Sequence, residues 1–213
     1  MAFYPLAGLM IGLIVALGHY LFSLLLPGPF ALWLTIGLLA ILTGGLHLDG
    51  FADTLDGLAS RGTREKMLEV MKDSRIGAFG VMGLIFLIGA KYLALSQISV
   101  PSIPYALMTM AVMGRNSMVL VCYRSSYARS VDGLARPFTR HLGRRETAIA
   151  SITALGLAVL LMGLKGIVLF LGACLFSLAY RLFFIRRLGG VTGDILGAAN
   201  EWVDLLCLVL FII

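Results

Sequence analysis

Seven apolar runs, near residues 6–26, 30–48, 76–98, 101–121, 147–163, 166–185 and 195–213, constrain this 213-residue chain more than any other feature. Crossing a hydrocarbon core takes about 20 helical residues, with every backbone polar group satisfied inside the segment. Most of the runs are that long; 147–163 is marginal. Only 13% of the residues are charged and 60% are hydrophobic, whereas a soluble domain carries about 25% charge. Such a chain cannot clothe a water-facing globule. The expected fold is an all-α integral membrane bundle of about seven transmembrane helices, one domain over 1–213. Gly without a period, few Pro and three isolated Cys exclude collagen-like repetition, disorder and a disulfide scaffold. The first run lacks the basic flank and cleavage site of a secretory signal, and Pro27-Gly28-Pro29 reads as a tight helical hairpin.

Charge sorts the runs. Fourteen of the 17 Lys and Arg fall in three connections: Arg61 to Arg75, Arg124 to Arg145, and Arg181 to Arg187. The alternate connections hold only Lys165. That alternation predicts an amino terminus in the cytoplasm and a carboxyl terminus outside. All eleven carboxylates lie in or beside the same three connections, Asp132 among them. The active face is therefore expected to be cytoplasmic, in a multi-pass protein of the cell (inner) membrane. The net charge of +6 is accounted for by this placement and does not call for nucleic acid; Arg140, Arg144 and Arg145 are expected to meet anionic headgroups of the lipid bilayer.

Asp49, Asp53 and Asp56 stand at i, i+4 and i+7, within one wedge of a helix. Carboxylates so close repel one another, and no Lys or Arg interrupts Asp49 to Ser60. A hard divalent cation, Mg²⁺ with waters retained, suits oxygen-only ligands. A second acidic face, Asp194, Glu201 and Asp204, follows the Gly-rich Gly189-Gly190-Val191-Thr192-Gly193, whose backbone could meet a phosphate at the helix start. The expected metal ligands are Asp49, Asp53, Asp56 and Asp194. The expected catalytic groups are Asp53, Asp56 and Glu201, with Glu201 as base because burial raises a carboxylate's pKa. Lys72, Arg75, Arg115, Arg129, Arg187, Thr192 and Gly193 are the expected substrate-binding residues. Arg115 lies inside a span and needs a partner; a packing ion pair would serve equally. His19 and His141 read as structural, and His47 as a polar anchor at a helix end. Metal-held carboxylates beside cations fit phosphoryl-group transfer.

These residues resemble a known family. The block GGLHLDGFADTLDGLASRGTREKMLEVMKDSRIGAFG at 44–80 is similar to the hallmark of cobalamin synthase, adenosylcobinamide-GDP ribazoletransferase. GRNSMV at 114–119, YAR at 127–129 and RRLGGVTGDILGAANE at 186–201 resemble that family's later motifs, in the same order. The resemblance implies a Mg²⁺-dependent membrane enzyme with two substrates, adenosylcobinamide-GDP and α-ribazole or its 5′-phosphate. A hydroxyl of the latter attacks the cobinamide-side phosphorus, and GMP leaves. The residues alone leave the activating base open between Glu201, an Asp and a metal-bound hydroxide. Members carry a further amino-terminal segment before a start like Phe3-Tyr4-Pro5-Leu6, and many have a second Glu near the position of Trp202 and Asp204. A homo-oligomer is compatible with all of this.

Two other classes compete on the residues alone. Asp53-Thr54-Leu55-Asp56-Gly57 followed by Arg61 partly echoes the CDP-alcohol phosphotransferases, though the downstream paired Asp is missing. A cation-coupled secondary transporter would use intramembrane carboxylates as ion sites, but it calls for two related halves with broken helices, and no such pairing is visible.

Overall fold

The protein is described here by a computed structural model covering residues 1–129, 133 and 135–213; Asp132 lies outside the described residues. The helices are α1 (Tyr4–Leu25), α2 (Gly28–Leu42), α3 (Leu46–Ala59), α4 (Arg64–Val70), α5 (Ala78–Gln97), α6 (Ile103–Cys122), α7 (Arg136–His141), α8 (Arg144–Met162), α9 (Leu164–Leu188) and α10 (Gly193–Ile212). Among the described residues there is no strand, and one isolated parallel bridge joins Tyr127 to Val191. Six helices are long and apolar enough to cross a membrane, or seven spans if the bent pair α2–α3 is taken as one.

The second run is where the expected boundaries fail. Its helix stops at Leu42, and Gly44 and Gly45 follow at φ +60° and +69°, a left-handed corner that side-chain-bearing residues resist. The chain leaves that corner as α3, turned 88° from α2. Residues 46–48, read as the end of a span, begin a different helix. The run at 147–163 errs the other way. Gly143 N–H donates to Glu146 Oε2 (3.0 Å), which caps the helix and starts it at Arg144, giving 19 residues.

Helices α6 and α10 form the centre. Within their most apolar stretches 78% and 61% of residues are buried, against 22–28% in the other spanning helices, whose outer faces are left to lipid. Helix α1 lies closest to α6. A Cβ at Gly12 would stand 2.6 Å from Met108 Cα, and Gly8 meets Ala111 one turn away. Small residues four apart let two backbones touch, which is how helices gain dispersion contacts in lipid. His19 fastens α1 to α2 through Thr35 (Nδ1 to Oγ1, 2.9 Å), the structural role expected of it. Cys122 and Cys207 are buried free thiols, and Cys174 is half-buried.

Candidate active site

Helix α3 carries Asp49, Asp53 and Asp56, as their spacing predicts. It packs on the first turns of α10, and Gly50 marks the closest approach. A Cβ there would lie 2.8 Å from both Asp194 Cα and its carbonyl oxygen. This contact sets Asp194, though not Glu201 or Asp204, against the α3 carboxylates. Asp53 responds: burial, then the charges of Asp49 and Asp194, push its carboxyl up to about 7, with Arg129 opposing the rise.

Asp194 is held by two donors on one oxygen. Arg129 Nη2 donates to Asp194 Oδ2 at 2.6 Å, and Thr192 Oγ1 donates to the same atom at 3.2 Å. Thr192 also accepts from the Ile195 N–H, so it caps α10. Arg129 bonds the Met71 carbonyl as well (3.0 Å). Its position follows from the loops around it. Ala128 N–H donates to Val191 O and Val191 N–H to Ser126 O, stitching the segment after α6 to the segment before α10. Arg64 pins both, donating to Leu188 O (2.7 Å) and Ala128 O (2.9 Å). Arg64 had no visible signal in the sequence beyond being basic. Arg129, Thr192 and Asp194 are thus brought together; Gly193 lies beside them at the helix start.

Asp56 has a different occupation. One oxygen accepts from Gly77 N–H (2.7 Å) and the other from Gly80 N–H (2.8 Å), so its carboxylate caps α5, whose own N-cap is a glycine. Arg75 is exposed and turned to Asp73 (2.7 Å), whose carboxyl it holds down at about 2. The side chains of Lys72 and Arg187 are exposed and, among the described residues, make no hydrogen bond or ion pair. These three expected phosphate ligands are not joined to the carboxylates by any described contact.

Glu201 also departs from expectation. It is buried and accepts from Lys91 Nζ (2.6 Å), which reaches Asp204 as well (3.3 Å). Asn200 donates to Asp204 (3.2 Å) and accepts from Arg115. Two cations and two carboxylates thus neutralise one another between α5, α6 and α10. The packing role weighed for Arg115 is realised here, with an amide as its direct partner. A lysine inside a span calls for a buried acid, and that is the signal in the sequence for the pairing of Lys91 with Glu201.

A cavity of about 440 Å³ adjoins Asp194. His47 and Arg129 line it together with apolar and aromatic side chains of α1, α3, α6, α7 and α10.

The sequence family described as cobalamin-5-phosphate synthase matches residues 1–212. The chain belongs to that family. It is 42% identical over 208 residues to the adenosylcobinamide-GDP ribazoletransferase of Geotalea daltonii, covering 98% of this chain and 83% of the relative. It is 40% identical to the protein of the same name from Syntrophobacter fumaroxidans (97% and 84% covered). With that of Acetivibrio thermocellus the identity is 37% (99% and 85% covered). No solved structure matches.

Among the described residues no three His, Cys, Asp or Glu side chains converge on one metal position. Magnesium does not ask for that, since it keeps several waters and uses one or two carboxylates plus substrate phosphate. Asp49 and Asp53, one turn apart on α3 and short of positive charge, are donors of the right hardness. The raised Asp53 carboxyl marks a cluster that a cation would relieve. Of the other two expected ligands, Asp56 accepts from backbone N–H groups and Asp194 from Arg129.

Proposed function

We propose that this chain is an adenosylcobinamide-GDP ribazoletransferase. A hydroxyl of α-ribazole, or of its 5′-phosphate, attacks the cobinamide-side phosphorus of adenosylcobinamide-GDP. The bond from that phosphorus to the oxygen bridging it to GMP breaks, giving adenosylcobalamin or its 5′-phosphate and GMP. The observation that carries the reading is the Gly50–Asp194 contact, which sets a cation-hungry carboxylate pair against an Arg-held carboxylate in a chain matched by the family from end to end.

Asp49 and Asp53 would hold Mg²⁺, which when bound neutralises the diphosphate and polarises phosphorus. Asp194 is the group placed to take the hydroxyl proton. Arg129 and Thr192 both donate to its Oδ2, which fixes the carboxylate plane and leaves Oδ1 for substrate. Arg129 sets a guanidinium beside the reacting phosphates, where planar donors suit phosphate oxygens. Asp56 keeps the start of α5 against α3. Lys72, Arg75 and Arg187 would engage the outer phosphates on substrate entry. The charge alternation supports a cytoplasmic location for this face in the inner membrane.

Purified protein in proteoliposomes, given Mg²⁺, α-ribazole and adenosylcobinamide-GDP, should release GMP in step with corrinoid product. Absence of GMP from folded protein would overturn the reading.

A further inference from the structure

The geometry points to the 440 Å³ cavity beside Asp194 as the seat of the aromatic base of the attacking nucleoside, with His47 as its polar contact. The inference rests on the ribazoletransferase reading, and names which substrate part goes where.

Size comes first. Small-molecule sites run from about 300 to 1,000 Å³, so this one is at the small end. A bicyclic heteroaromatic base with its sugar fits; a corrin ring with its amide side chains does not. Lining comes second. Tyr4, Tyr127 and Phe138 bring aromatic surface, Met118 a polarisable thioether and Leu196 an aliphatic wall. Tyr4 and Phe138 already meet edge to face, with ring centres 6.0 Å apart. Flat apolar rings are what such walls hold best, and a guanosine diphosphate or a phosphate chain is not.

The polar minority gives orientation. His47 lines the cavity and is only 7% exposed; its Nδ1 is closed off against Gly197, so Nε2, which has no hydrogen-bond partner among the described residues, is the ring edge a ligand can meet. A ligand nitrogen that pairs with this ring edge is favoured over a hydrocarbon of the same shape, which would leave it unpaired. Asp194 closes the cavity on the side of the α3 carboxylates. A base lodged among the aromatic walls therefore leaves its ribose at Asp194 Oδ1, where a hydroxyl would have to be for attack.

The test uses the full chain in proteoliposomes, with Met118→Trp to fill the cavity, His47→Ala to remove the polar contact, and His47→Gln to restore one. Calorimetry with α-ribazole alone reads binding, and GMP release reads the two KM values. Losing the buried ring surface is worth about tenfold or more. Met118→Trp should weaken α-ribazole binding and raise its KM by at least that factor, with the KM for adenosylcobinamide-GDP little changed. Wild-type protein should prefer α-ribazole to the analogue whose base has carbon in place of the free ring nitrogen. His47→Ala should lose that preference and His47→Gln regain part of it. Should Met118→Trp not fold, Phe138→Ala carries the same expectation for α-ribazole. A rise confined to the KM for adenosylcobinamide-GDP would place the other substrate here and overturn the inference. Unchanged constants for both would do the same, leaving the cavity to lipid. Wild-type protein that binds α-ribazole with a cavity-dependent affinity yet releases no GMP would sink the enzyme reading and keep this one.

Discussion

Lys91 Nζ lies 2.6 Å from Glu201 Oε2, and both side chains are almost wholly buried at the contact of α5 with α10. Removing one partner of a buried pair costs about 3–5 kcal/mol, because the other charge stays behind uncompensated. Lys91→Met strands two carboxylates and should lower the unfolding midpoint in detergent sharply. Glu201→Gln strands less, since Asp204 still faces Lys91; it should lower the midpoint while the folded fraction keeps turnover within about tenfold of wild type. A hundredfold loss of kcat with an unmoved midpoint would return Glu201 to the role of base.

The contrast between Glu201 and Asp53 shows what a sequence can carry. The α3 wedge was legible because helical spacing alone puts Asp49, Asp53 and Asp56 on one face. The seven runs were legible because hydrocarbon demands length and apolarity. Partners were not, since they depend on which helices touch. Asp194 meets α3 through Gly50, and Glu201, two turns further along, meets α5. The one-dimensional pattern sets Glu201 deeper in an apolar run than Asp194, but it does not say which helix each acid meets. The role of Asp56 was hidden for a similar reason: Gly77 and Gly80 look like loop residues until α5 is seen to begin on a carboxylate.

Asp53 sets a pH dependence. Its carboxyl is pushed up to about 7, so it is protonated below that pH and must lose the proton to accept a cation. The Mg²⁺ concentration for half-maximal activity should climb about tenfold per pH unit below 7 and level off above it. Asp53→Asn should remove this slope and cut turnover at saturating Mg²⁺ by at least about a hundredfold, roughly 2.7 kcal/mol of barrier. A Mg²⁺ requirement that ignores pH across neutrality would take Asp53 out of the cation site.

Asp56 should behave otherwise. Asn in its place keeps one acceptor and turns an NH₂ toward a backbone N–H, so one of the two caps is lost, at about 1–3 kcal/mol. Thermal stability and turnover should both fall, with the half-activating Mg²⁺ concentration within about twofold of wild type. A large shift in that concentration would mean that Asp56 ligates the metal after all.

Orientation can be read by labelling. In a background without Cys122, Cys174 and Cys207, a cysteine at Ser99, exposed between α5 and α6, should react with a membrane-impermeant maleimide added to intact cells. A cysteine at Glu69, exposed on α4, should react only after lysis. The reverse pattern would invert the topology and move the carboxylate face outside.

Gly50 and Gly37 make a matched pair for the packing of the site. Both are helical glycines, in α3 and α2, and Ala has the higher helix propensity by up to about 1 kcal/mol. A Cβ at Gly37 meets nothing within 4 Å, so Gly37→Ala should leave turnover unchanged and stability equal or slightly higher. A Cβ at Gly50 would stand 2.8 Å from backbone atoms of Asp194, and backbone cannot rotate away as a side chain can. The two helices must part by several tenths of an ångström, carrying the Asp49–Asp53 pair off Asp194 and Arg129. Positioning errors on the scale of 1 Å cost about a hundredfold in rate. Gly50→Ala should therefore lose about ten- to hundredfold in kcat while the protein still inserts and folds. Equal activity of the two variants would show that the α3–α10 contact does not set the reacting geometry.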